Sequence, residues 1–327
     1  MLIINSPSND AYFNIASEEY LLNKYPKEDI FLLYVNAPSI IVGKFQNALA
    51  EVNLNFVQEN GIKVVRRMSG GGAVYHDLGN LNFSFHSAWT GGDFLEFNTF
   101  TEPIVKLLNK LDVPARLEGR NDLLVEGKKF SGNAKLVRKG KVIQHGTILI
   151  HSDMGVLSDA LKINPLKYVD KGIKSNRSRV TNLEVYLPEG ATTESFKSLL
   201  IKEMLAENKD AKLVEYSSED LEAIQQLAAD KYSTWDWNFG KSPDYNFKQA
   251  IKIPAGFIEL HLDVEKGFIE KAKVFGDFFA MKPAEEFEQL LIGKKHEKSE
   301  IKALLKEIDL EPFFGKVAAE EILPLFN

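Results

Sequence analysis

Three consecutive glycines constrain this chain more than any other feature. They sit inside Arg66-Arg67-Met68-Ser69-Gly70-Gly71-Gly72-Ala73-Val74-Tyr75-His76-Asp77. Glycine loses more freedom on ordering than any other residue and weakens helix and strand interiors, so the triplet reads as a loop. It follows a short strand candidate, Ile62–Arg66. A loop of this kind lets the backbone approach a ligand closely and points successive N–H groups at an anion. Arg66 and Arg67 can add a carboxylate or phosphate clamp. A glycine-rich hairpin with solvated arginines fits the same residues.

The flanking pattern is mixed α/β. Asp10 is a candidate N-cap for a helix over Asp10–Leu22, with Phe13, Ala16 and Tyr20 at helical spacing. Strands are expected at Ile30–Val35 and Ser39–Val42, on either side of Asn36-Ala37-Pro38. Leu81–Phe85 alternates apolar and polar residues like a half-buried strand, and Thr101 can cap a helix carrying Ile104, Leu107, Leu108 and Leu111. Strands and tight turns fill Asp122–His151. Helices follow with Phe196, Leu199, Leu200 and Met204, then with Leu221, Ile224 and Ala228 behind a Ser217 or Ser218 cap. Gly, Ser, Pro and Asp cluster at Gly240–Asp244, after which Ile258, Leu260, Leu262 and Val264 alternate and a second strand spans about Ile269–Phe275. The remainder is mainly helical. With 327 residues the chain suits two domains, 1–246 and 247–327.

A second stretch runs Gly119-Arg120-Asn121-Asp122 and then Glu126-Gly127-Lys128-Lys129-Phe130-Ser131-Gly132-Asn133-Ala134. Asn121 and Asp122 offer hard oxygen ligands of the kind Mg²⁺ takes alongside phosphates. Lys129 can place a compact positive charge on a phosphate, although a solvated surface lysine is the commoner role of a Lys-Lys pair. His145-Gly146-Thr147 opens another strand, where a hydrogen-bonded histidine and a site histidine are both open readings. Lys171–Asn182 alternates cations with small polar residues and reads as a loop, either solvated or closing over an anion.

Several classes are excluded. There is no Walker A loop, no Gly-x-Ser-x-Gly elbow and no His-Glu-x-x-His. The absence of cysteine removes disulfides, thiolate metal sites, iron–sulfur clusters and cysteine nucleophiles together. A net charge of −6 argues against general binding to nucleic acid or anionic membrane. Yet residues 120–182 carry thirteen Lys and Arg against five Asp and Glu, a local +8 that leaves −14 for the rest. Such asymmetry draws anions to one face; the region shows no nucleic-acid motif. The N-terminal residues lack a basic segment followed by an apolar one, and no apolar run could span a bilayer, so the expectation is a soluble cytoplasmic protein.

Five ordered motifs together carry a resemblance. Arg66-Arg67-x-Ser-Gly-Gly-Gly-Ala-Val-Tyr-His-Asp, Gly119-Arg-Asn-Asp-Leu, Lys129-x-Ser-Gly-Asn-Ala, His145-Gly-Thr and Ser175-x-Arg-Ser-Arg-Val-Thr-Asn resemble the lipoate–protein ligase A family. Gly43-x-x-Gln46-Asn47 and Trp235-Asp-Trp-Asn-Phe-Gly extend the match over most of residues 10–240, and the tail looks like the family's accessory domain. The resemblance implies a mixed-sheet catalytic domain of the biotin/lipoate ligase type with a small α+β C-terminal domain that reorients between two half-reactions. It implies ATP and Mg²⁺ as cofactors. Lipoate attacks the α-phosphate of ATP to give lipoyl-AMP and pyrophosphate, and an acceptor lysine then takes the lipoyl group as an amide. The implied acceptors are lipoyl domains of 2-oxoacid dehydrogenase complexes and the glycine cleavage H protein.

Carried onto this sequence, the resemblance implies Lys129 as the catalytic lysine. It places ATP and the adenylate on Arg67, Gly72, Ala73, Val74, Tyr75, Lys129, Lys174, Arg179, Thr181 and Asn182. Lipoate falls on Arg67, Ser69, Gly70, Gly71, Gly72, Lys129 and His145, and metal on Asn121 and Asp122. Three rivals stand beside it: an ATP-independent lipoyl or octanoyl transferase, a biotin–protein ligase and a non-catalytic lipoyl-domain binder. Most such transferases pass the chain through a cysteine thioester, for which this chain has no residue.

Overall fold

The computed structural model describes residues 1–119, 121–160, 180–239, 247–265 and 267–326. Ten strands from the N-terminal part are β1 (Leu2–Asn5), β2 (Ile30–Val35), β3 (Ser39–Val42), β4 (Lys63–Arg66), β5 (Val74–His76), β6 (Asn80–Ala88), β7 (Ala115–Glu118), β8 (Asp122–Val125), β9 (Lys128–Arg138) and β10 (Lys141–Leu149). They are followed by β11 (Lys212–Val214), and then by β12 (Phe247–Ile253), β13 (Gly256–Glu265) and β14 (Phe268–Gly276).

The main sheet is mixed, in the order β11-β1-β2-β6-β10-β9-β8-β7. β1 runs parallel to β11 and β2, and the pairings from β2 through β6, β10, β9 and β8 to β7 are antiparallel. β2 explains why its sequence is apolar without interruption: both faces are covered. Phe31 and Leu33 enter one core with Phe83, Phe85, Leu107 and Leu200, under the helices Asn98–Lys110 and Thr193–Glu207. Ile30, Leu32 and Tyr34 enter a second core with Phe13, Ile15 and Ile224, under the helices Ala11–Lys24 and Ser218–Leu227.

Central placement corrects one expectation. β6 is not half-buried, because Asn80, Asn82, Ser84 and His86 on its polar face lie inside with its apolar face. Hydrogen bonds such as His86 to Ser84 Oγ at 3.1 Å offset part of that cost. Nor does Thr101 cap a helix: the helix starts at Asn98, and Thr101 Oγ1 donates back to the Phe97 carbonyl at 2.9 Å. Asp10 and Ser217 do cap theirs, accepting from Tyr12 N at 2.8 Å and Asp220 N at 3.2 Å.

The Asn36-Ala37-Pro38 stretch does more than turn the chain. It moves the chain from the main sheet into a small second one, β4-β3-β5, in which β3 pairs parallel to β4 and antiparallel to β5. That sheet presents the glycine loop between β4 and β5. β12–β14 form a third, antiparallel sheet whose core (Ile258, Leu260, Val274, Phe287, Ile301, Leu305) is closed by the helices Ala284–Leu291 and Lys298–Glu307. No described helix is long and apolar enough to cross a membrane.

Candidate active site

The two adjacent arginines have different tasks. Arg66, 1% exposed, donates through Nη1 to the carbonyls of Gly43 (2.9 Å), Lys44 (3.1 Å) and Gln46 (2.7 Å). Its Nη2 reaches Asn238 O at 2.7 Å and its Nε Trp237 O at 3.0 Å. All five of these guanidinium bonds go to backbone oxygens, and they tie the Trp235–Asn238 helix to the loop after β3. A clamp made by both arginines is therefore corrected: Arg66 is a buried strut.

Arg67 points into the glycine loop. Its Nε donates to Ser69 Oγ at 3.0 Å, its Nη2 to Gly70 O at 2.7 Å and Gly72 O at 2.8 Å, and its Nη1 to Ile41 O at 3.1 Å. Burial lowers both guanidinium pKa values to about 10, so both remain charged at neutral pH. A cation held by loop carbonyls fixes the loop's shape and leaves a positive charge beneath it.

Ser69 links this loop to the main sheet. Its Oγ lies 2.6 Å from His145 Nε2, and His145 Nδ1 faces Glu18 Oε2 at 2.7 Å and Oε1 at 3.0 Å. Tyr34 donates its hydroxyl to Glu18 Oε1 at 3.0 Å. Ser69, Glu18, His145 and Tyr34 are all buried. Burial alone would raise the Glu18 carboxyl, but the charge and hydrogen bond of His145, His86 and the Tyr34 hydroxyl bring it below its ordinary value. Sequence reasoning missed Glu18 and Tyr34. A signal was present: Ala11, Ile15, Glu18 and Leu22 form one helical stripe, in which a carboxylate interrupts apolar residues.

A second group lies on the neighbouring strands. Lys129 Nζ pairs with Asp122 Oδ1 at 2.8 Å, each side chain 37% exposed. A Cβ on Gly132 would stand 3.0 Å from that Nζ, so the glycine keeps the ammonium's space open. Thr181 N donates to Lys129 O at 2.8 Å, which brings Val180–Asn182 alongside β9. Asn182 brackets Ser152, accepting from its N at 3.0 Å and donating to its O at 2.9 Å. Asn121 donates its side-chain amide to Asn133 O, and Asn133 returns two bonds to Asn121 O at 3.0 and 3.1 Å. The two groups meet across β9 and β10, where Gly132 N donates to Thr147 Oγ1 at 3.2 Å, two residues beyond His145.

Arg67, Ser69, Gly70, Gly71, Gly72 and His145 therefore come together, as do Lys129, Asn121, Asp122, Thr181 and Asn182. Ala73 leads into β5, where Val74 and Tyr75 pair with Ile41 and Ile40; burial, then Asp77 and Asp153, pushes the Tyr75 hydroxyl up to about 12. Lys174 and Arg179 lie outside the described residues. Among the described residues no group of three or more His, Cys, Asp or Glu could hold a metal.

The third sheet is seated on the glycine loop. Gly71 N donates to Phe278 O at 3.2 Å and Gly276 N to Phe45 O at 2.8 Å. The Phe45 and Phe278 rings stack at 4.8 Å, while Phe279 packs with Phe94, Phe97 and Ala134. Any Cβ on Gly70 would overlap the Phe278 carbonyl, and Gly71 has φ +89°.

A loop built on an arginine, a paired lysine on the neighbouring strands and a third sheet seated on the loop make up a two-part acyl-ligase scaffold. In agreement, residues 10–205 match the family model of the lipoyl protein ligase A/B catalytic domain, and residues 242–326 that of the bacterial lipoate protein ligase C-terminus. The chain belongs to the lipoate–protein ligase family. It is 45% identical to the lipoate–protein ligase LplJ of Bacillus subtilis, covering 99% of both chains. Similar solved structures include LipL1 of P. falciparum in complex with lipoate (TM-score 0.80, 28% identity, 94% of each chain). Another is lipoate–protein ligase A bound with ATP (TM-score 0.60, 29% identity, 73% of this chain and 98% of that one).

Proposed function

We propose that this chain activates lipoate with ATP to lipoyl-AMP and passes the lipoyl group to a lysine of lipoyl domains. Those domains would belong to 2-oxoacid dehydrogenase complexes or the glycine cleavage H protein, and the reaction would run in the cytoplasm. We assign residues 1–246 to catalysis and 247–327 to the accessory domain. The observation that carries the reading is Lys129, held by Asp122 at 2.8 Å beside a space that Gly132 keeps open.

Two anions, a carboxylate and a polyphosphate, must meet in the first half-reaction. Arg67 supplies fixed positive charge beneath the glycine loop, and Lys129 exchanges Asp122 for the α-phosphate, where charge grows as the new P–O bond forms. Gly72, Ala73, Val74 and Tyr75 would line the adenylate with Thr181 and Asn182, and the sequence resemblance adds Lys174 and Arg179. Arg67, Ser69, Gly70, Gly71, Gly72 and His145 would line the lipoate, with Lys129 at its carboxyl end. Asp122, with Asn121, suits Mg²⁺ carried in on ATP, since Mg²⁺ commonly takes one or two carboxylates plus phosphates. The metal would neutralise polyphosphate charge. In the second half-reaction the acceptor amine must lose a proton, and the Lys129 charge favours that loss. Salt should weaken acceptor binding if the basic 120–182 segment meets an acidic acceptor.

Lipoate-dependent exchange between pyrophosphate and ATP tests the assignment. Exchange is expected. Its absence, together with acyl transfer from a carrier protein, would instead establish a transferase.

A further inference from the structure

Two adjacent phenylalanines part company just beyond the third sheet. Phe278 turns into the core of that sheet, where it stacks on Phe45 at 4.8 Å and meets Phe314 edge-on at 5.4 Å. Phe279, 2% exposed, turns the other way and packs against Phe94, Phe97 and Ala134 of the N-terminal part, its ring centre 5.7 Å from that of Phe97. A Cβ on Gly71 would stand 3.0 and 3.3 Å from atoms of the Phe279 ring and 2.9 Å from Arg67 Nη2. The ring therefore lies between the glycine loop and β9, in room left by a glycine and an alanine.

Its place can be measured from Lys129. The ammonium lies at Gly132, 3.0 Å from where a Cβ would be. Ala134 is the next residue on that face of β9, about 7 Å further along the strand. It stands directly opposite His145 on β10. A carboxyl held at Lys129 would send its chain past Ala134 and beneath Gly71, toward His145. That span matches the aliphatic arm of lipoate, so the start of the dithiolane ring comes abreast of Phe279.

We propose that Phe279 is a specificity-determining residue: its ring walls the acyl channel where the lipoyl arm meets the dithiolane, and favours lipoate over octanoate. This rests on reading the glycine loop as the lipoate seat with Lys129 at the carboxyl. Both acids present the same carboxyl and a similar length of chain to the rest of the channel. They differ at the far end, where one has two polarizable sulfurs and the other only carbon. Sulfur against an aromatic ring gains more than a methylene in the same place, enough for a preference of about two- to tenfold. The wall comes from the accessory part of the chain, so the seating of that part and the choice of acid are read at one ring.

Pyrophosphate exchange by the full chain, with lipoate and with octanoate, gives the ratio of the two kcat/KM values. The parent should favour lipoate. Phe279→Leu keeps an apolar side chain but loses the aromatic face, and should lower the ratio by about two- to tenfold through the KM for lipoate. The KM for ATP and the melting temperature should stay near those of the parent. Phe279→Met serves if the leucine variant fails to fold. Phe94→Leu, in the same cluster but without the contact to Gly71, should leave the ratio unchanged. Equal use of the two acids by the parent, an unchanged ratio in the Phe279 variants, or the same shift in Phe94→Leu overturns the wall and leaves the lipoate seat standing. No exchange with either acid overturns both.

Discussion

The two halves of the site are built on opposite principles. Around Arg67, Ser69 and His145 the polar groups are buried and interlocked, down to Glu18 and Tyr34. Around Lys129 and Asp122 a single ion pair stands more than a third exposed, beside a glycine. On the function proposed above, the difference separates positioning from reaction. A half whose donors already have partners can hold a ligand's shape without reorganising. A half with one exchangeable partner can hand its charge to a phosphate when it arrives.

Mutations can break that contrast. The largest effect should come from Arg66→Ala, which leaves five backbone carbonyls short of a partner in a buried place. A stability loss of about 3–5 kcal/mol is expected in urea denaturation. Arg66→Lys should recover little, since an ammonium cannot reproduce the planar fork. Next, Lys129→Ala should lower adenylate formation by about 10²–10³-fold while the unfolding midpoint stays near that of the parent, read by pyrophosphate exchange and thermal melting. Unimpaired exchange would remove Lys129 from the mechanism. Third, Gly70→Ala should cost about 1–3 kcal/mol of overpacking against Phe278 and increase the radius of gyration seen by small-angle scattering. Smallest is Asp122→Asn, whose exposed pair should change stability by less than about 1 kcal/mol. A much larger loss would mean that the open half is structural after all.

Much of this contrast was legible beforehand, in unequal measure. The glycine triplet, Lys129 and His145 stand out because special backbone and charge leave marks in the residue types themselves. Arg66 and Arg67 are adjacent and chemically identical, so only tertiary contacts tell strut from site residue. Glu18 was readable from its place in an apolar stripe, but its partners are 16 and 127 positions away along the chain. The polar face of β6 reads as solvent-facing until the sheet order places it at the centre, between β2 and β10. Thr101 misled because a hydroxyl that returns to a carbonyl inside the first turn resembles one that caps it.

The seat of the third sheet on the glycine loop has a consequence for how such a chain can change over time. The joint combines main-chain hydrogen bonds, from Gly71 N to Phe278 O and from Gly276 N to Phe45 O, with the stacked Phe45 and Phe278 rings. Its backbone part is intolerant of one added methyl group at Gly43, Gly70 or Gly276, where a Cβ would overlap a carbonyl. Drift at this joint is therefore confined to the side chains around the rings, while the glycines must stay.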